Sequence, residues 1–196
     1  MPFTINSVSS AQESLGLAED LGVVTASGSI VQTAICVLMP GEGARLINNG
    51  LIASGNIAVS VSNDVQIVNM GSIVGELNAI SLAIGGVADT TATITNSGEI
   101  IAYFGVGLNC FESGIRIVNS GLISGSAGGA IIGTSSGLET SYLSNTGTIA
   151  SGSVSANALS TFGTARIVNS GLIAGSVSLG TGNDTLDNRL GEITGA

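Results

Sequence analysis

Aliphatic and polar residues alternate along this chain in short runs, and the runs recur. The string Arg116-Ile-Val-Asn-Ser-Gly-Leu-Ile123 returns unchanged at Arg166–Ile173. Looser copies occupy Arg45–Ile52, Gln66–Ile73, Thr93–Ile100 and Tyr142–Ile149. Aligned on their Asn, the copies separate into columns. Leu46, Ile67, Ile94, Ile117, Leu143 and Ile167 stand two residues before it, and Arg45, Gln66, Thr93, Arg116, Tyr142 and Arg166 three before. Ile52, Ile73, Ile100, Ile123, Ile149 and Ile173 stand four after it, joined by Ile30 and Ile193 from two imperfect copies, Ala26–Ile30 and Asn188–Ile193. An aliphatic column beside a polar one is the period-2 signature of a strand with one buried face, and Ile and Val suit strands.

The repeat length decides the architecture. Successive anchors lie 19 to 27 residues apart, near 23 on average, a period that belongs to solenoids. Each repeat reads as a strand, an Asn-x-Gly corner, a second strand, a looser Gly/Ser turn and a third short strand. The third strand is expected at Thr33–Leu38, Ile57–Val61, Ala79–Ile84, Gly105–Asn109, Ala130–Ile132 and Val177–Leu179. The fold class is therefore all-β, a right-handed parallel β-helix of about seven to eight coils with three strands per coil. The corner Asn and Gly are expected to use the left-handed backbone they tolerate. Asn48, Asn69, Asn96, Asn119, Asn145 and Asn169 should stack into an amide ladder. The longest turns are expected at Gly85–Thr91 and Thr134–Ser141.

Residues 1–22 lack the repeat. They are read as an N-terminal cap or docking segment, with a short capping helix at Ser10–Glu13, and 23–196 as the solenoid. Glu13, Glu19 and Asp20 there read as a solvated acidic patch.

Composition narrows the function. The chain carries 13 acidic residues against 4 basic ones, all Arg, for a net charge of −9, and it has no His, Lys or Trp. A nucleic-acid surface needs clustered basic residues, so that partner is excluded. The commonest general base is missing. No apolar run is long enough for a membrane span, and no Sec signal peptide is recognisable. Cys36 and Cys110 are 74 residues apart and read as unpaired core thiols.

One stretch suggests a metal. Gly180-Thr-Gly-Asn-Asp-Thr-Leu-Asp187 matches most of a calcium-binding nonapeptide, which makes Asp184 and Asp187 the candidate calcium ligands and calcium the one candidate cofactor. With the Ile-Val-Asn-Ser-Gly-Leu-Ile coils, this stretch resembles the β-helical repeat regions of bacterial secreted adhesins and exoproteins, of the autotransporter-passenger and hemagglutinin or hemolysin type. The resemblance spans about residues 23–196. It implies an extracellular or cell-surface protein. The short length and the lack of a recognisable Sec signal or membrane-barrel domain depart from that family, and the calcium-like stretch would fit export by a type I route.

The expected function is non-enzymatic: a secreted structural solenoid that polymerises head to tail with itself. Ile173 and Ile193 at one edge and Ile30 at the other would form the joint. Val68, Val118, Val168, Leu51, Leu122 and Leu172 would add an outward apolar strip beside the corner. The alternatives are an adhesin-like rod for a surface glycan or protein receptor, and a polysaccharide-active β-helix enzyme. The last is disfavoured by the scarcity of aromatic and acidic clusters.

Overall fold

A computed structural model describes residues 2–83, 91–111, 114–133 and 140–195. The chain winds into a β-solenoid of three parallel sheets, and no helix forms among the described residues. The first sheet contains Phe3–Ile5, Leu21–Val24, Ala44–Asn48, Val65–Asn69, Thr91–Asn96, Gly114–Asn119, Thr140–Asn145, Thr164–Asn169 and Thr185–Asp187. The second contains Val8–Ser9, Ser29–Gln32, Leu51–Ser54, Ser72–Gly75, Glu99–Ala102, Leu122–Gly125, Thr148–Ser151, Leu172–Ala174 and Glu192–Ile193. The third contains Glu13–Ser14, Val37–Met39, Ile57–Val61, Asn78–Ala83, Val106–Phe111, Gly128–Gly133, Asn157–Phe162 and Ser176–Leu179. Eight three-strand coils are thus followed by two strands of a ninth. Nine strands at about 4.8 Å spacing make the first sheet about 40 Å long.

Register follows the sequence columns. In the second sheet Ile30 pairs with Ile52, then Ile73, Ile100, Ile123, Ile149, Ile173 and Ile193 in turn. All but Ile193 are fully buried. Each buried Ile contributes about 1.5–3 kcal/mol relative to an exposed one. The third sheet adds a second column, Val37, Val59, Ile80, Leu108, Ala130, Leu159 and Val177. Together these columns fill the tube with side chains.

Several expectations need correcting. The third strand expected at Thr33–Leu38 is Val37–Met39, and a third strand at Asn157–Phe162 was not anticipated. Residues 3–14 form three short strands and no capping helix; they make a first coil in register with the next. Asp20 is buried and not a solvated patch residue: its carboxylate accepts a hydrogen bond from the Leu17 amide at 3.0 Å. The long turns expected at 85–91 and 134–141 lie outside the described residues, except for their last residues, which already belong to strands.

The corner is built differently from the expectation too. Neither the ladder Asn residues nor the corner glycines have positive φ. Glycine is required there by close stacking. A Cβ on Gly71 would lie 2.1 Å from the Gly50 carbonyl oxygen, and one on Gly98 2.0 Å from that of Gly71. Any side chain at this position would enter the backbone of the preceding coil.

Candidate functional site

The Asn column lies at the corner between the first and second sheets and faces inward. Asn48 Nδ2 donates to Asn69 Oδ1 at 2.8 Å, and the same bond recurs from Asn69 to Asn96, Asn96 to Asn119, Asn119 to Asn145 and Asn145 to Asn169. Each amide also donates to the glycine carbonyl two residues on, at 3.2 to 3.3 Å. The six are 0 to 1% exposed. A ladder with every amide committed and out of reach of solvent holds coils together and leaves nothing free for a ligand. It also runs one step further, because Asn169 donates to Asn188 at 2.6 Å.

The residues expected at the assembly edges do not all lie at edges. Ile30 sits one coil in, paired with Ser9 on one side and Ile52 on the other. Ile173 is likewise covered, by Ile149 and Ile193. Only Ile193 lies in an outermost strand, partly buried against the core. The first coil does not repeat the interior columns. Ser9 stands in the Ile column, Glu13 in the Val37 column, and Ile5 and Val24 where the Asn ladder would continue. Phe3 lies over Gly22: a Cβ there would fall 2.5 Å from the Phe3 Cζ.

Both candidate calcium ligands make hydrogen bonds within the chain. Asp184 Oδ1 accepts the Ala165 amide at 2.8 Å. Asp187 pairs with Arg189, whose Nε donates to Oδ1 at 2.9 Å. The Arg189 side chain, its backbone amide and then the more distant Arg166 hold the Asp187 carboxyl down at about 2. Calcium takes six to eight oxygens. Among the described residues no group of three Asp, Glu, His or Cys side chains converges. Cys36 and Cys110 are both unpaired and buried. Burial pushes both thiols up, and the hydrogen bonds that reach Cys36 only partly offset this.

The outward side chains offer more chemistry. Arg116, Tyr142 and Arg166 occupy consecutive positions of one outward column on the first sheet. Two strand spacings put the arginines about 10 Å apart. Tyr142, 43% exposed, stands between them. With Ser144 and the half-exposed Val118 and Val168, they line an open hollow of about 300 Å³. Arg45, in the same column, donates to Gln66 at 2.7 Å, and Arg189 is held by Asp187. Neither Arg116 nor Arg166 makes an ion pair or hydrogen bond among the described residues. The sequence alignment put these residues in one column; the hollow came from the stacking of coils. The expected apolar strip is graded: Val168 and Leu51 are exposed, while Val68, Val118, Leu122 and Leu172 are half-buried.

Comparison with protein-family models, curated proteins and solved structures finds no match. The class the structure defines is a repetitive parallel β-solenoid of about eight turns. No helix among the described residues is long and apolar enough to cross a membrane.

Proposed function

We propose that the chain is a non-enzymatic, secreted or surface-displayed binding rod, adhesin-like in its mode of action. Interior columns of Ile, Leu and Val hold the coils in register. The observation that carries the reading is the exposed Arg116–Tyr142–Arg166 column, where two of the four basic residues of a chain with net charge −9 stand unpaired beside an aromatic ring. Exposed aromatic and Arg side chains are the residue types that anchor interfaces. A sheet presents them without the cost of ordering a backbone segment.

Head-to-tail polymerisation is the second reading. Leu186, Asn188 and Ile193 favour it, because they continue three interior columns at the outermost described strands. Ser9 and Glu13 oppose it, because in the first coil they interrupt the Ile column and the Val37 column. One pair of measurements separates the readings. The purified chain is passed over a glycan array and also examined by sedimentation velocity up to high concentration in salt. A monomer retained on particular glycans supports the binding rod. Concentration-dependent polymers with no glycan retention overturn it in favour of the filament.

A further inference from the structure

We infer that the Arg116–Tyr142–Arg166 column is a subsite for an acidic linear polysaccharide carrying one carboxylate per sugar, a polyuronate. The inference rests on the binding-rod reading and names its ligand class.

Charge comes first. Two unpaired guanidiniums in a strongly acidic chain form a local exception to its field, and each can take a carboxylate in a two-pronged hydrogen bond. Spacing comes next. The arginines are one coil apart from Tyr142 on either side, about 10 Å from each other. A pyranose repeat is comparable in length to one strand spacing. A polyuronate lying along the solenoid axis would therefore set the carboxylates of alternate sugars on Arg116 and Arg166. The middle sugar would meet Tyr142, whose ring offers an apolar face and whose hydroxyl offers a polar handle. Ser144, one position from the sheet corner, adds a hydroxyl to the same hollow.

An acidic peptide fits less well. An extended strand rises about 3.4 Å per residue and repeats on one face every second residue, so same-face carboxylates recur at about 7 and 14 Å. Neither matches the arginine spacing.

The experiment measures binding of polygalacturonate at low ionic strength by calorimetry, with a neutral dextran and poly-glutamate as comparison ligands. The parent chain should bind polygalacturonate in preference to both. Arg116→Gln/Arg166→Gln should weaken it about tenfold or more, since two charge-assisted contacts are removed. Tyr142→Ala should weaken it less. Arg45→Gln, in the same column but already bonded to Gln66, should bind like the parent. All these positions face outward, and unchanged circular dichroism will confirm that each variant is folded. Equal affinity in the double variant, or preference for poly-glutamate, would overturn the subsite. If the parent is retained on the array but the double variant keeps the parent's polygalacturonate affinity, the subsite falls while the rod reading stands. If the parent binds no glycan at all, both fall.

Discussion

The first and last coils of the solenoid are made from the same template and treat it in opposite ways. At residues 3–14 the inward positions read Phe3, Ile5, Ser9 and Glu13. At residues 185–193 they read Leu186, Asn188 and Ile193. The last coil keeps the aliphatic and amide columns going. The first places a hydroxyl in the Ile column, a carboxylate in the Val37 column and Ile5 at the ladder position, and it folds an aromatic ring over a glycine. An inward charge on an outermost strand is a recognised guard against edge-to-edge pairing. In a solenoid each coil gains its stability from its neighbours. The difference therefore lies in column occupancy: one outermost described coil continues inward columns and the other does not.

Moving one substitution along a single column tests this with the largest effect. Ile100 is fully buried between Ile73 and Ile123, so Ile100→Asp loses about 1.5–3 kcal/mol of burial and adds an unpaired interior charge. We expect the chain not to fold, read by circular dichroism. Ile193→Asp, covered on one side only, should cost less than about 1 kcal/mol. Thr93→Asp, facing outward, should cost little. Equal damage from Ile100 and Ile193 would break the comparison.

The ladder gives a smaller contrast. Asn119→Ala takes one of three acceptors from the Nδ2 of Asn96 and removes the donor to the Oδ1 of Asn145, for about 1–3 kcal/mol. Asn188→Ala removes one bond at the outermost strand and should cost less than about 1 kcal/mol, measured as a shift in urea midpoint.

These contrasts also mark what was legible in the sequence. The Ile and Asn columns were, because each coil must place the same residue type at the same inward position for the stack to close. Leucine and isoleucine two before the Asn could be read for the same reason. The first coil was not: it carries no Asn-x-Gly, and its register comes from pairing with Leu21–Val24 and Ser29–Gln32, a relation no local pattern encodes. Asn157–Phe162 escaped because Asn-Ala-Leu-Ser-Thr-Phe mixes polar and apolar residues, yet Ala158 and Leu159 both face the core. The corner glycines were recognised but for the wrong reason, since steric crowding between coils cannot be seen within one repeat. Of the candidate binding surface, the residues and their column could be read; the lack of partners for Arg116 and Arg166 could not.

Repairing the first coil should sharpen the comparison further. Ser9→Ile and Glu13→Val together restore the Ile and Val columns at the outermost strands. The expected result is concentration-dependent association in sedimentation velocity where the parent shows none. An equally monomeric variant would show that Phe3 and the strand edges alone block addition.

The smallest expected effect lies at the opposite coil, in the charge pair of its outward face. Asp187 is bonded by the side chain and backbone amide of Arg189, and its carboxyl is held down to about 2. An unfolded aspartate titrates near about 3.9. A depressed folded value means that the pair's contribution is fully present above about pH 4 and is lost as the pH falls from there toward 2. The guanidinium is 85% exposed, so solvent screening keeps the effect on stability slight, and the titration itself is the sensitive readout. Carboxyl-carbon NMR should place the Asp187 midpoint near pH 2 in the parent. Arg189→Gln should move it up toward the ordinary aspartate range, though not all the way, because Arg166 still acts at a distance. A parent midpoint already at the unfolded value would mean that the pair does not persist in solution. Asp187 would then be free to face whatever approaches the last coil.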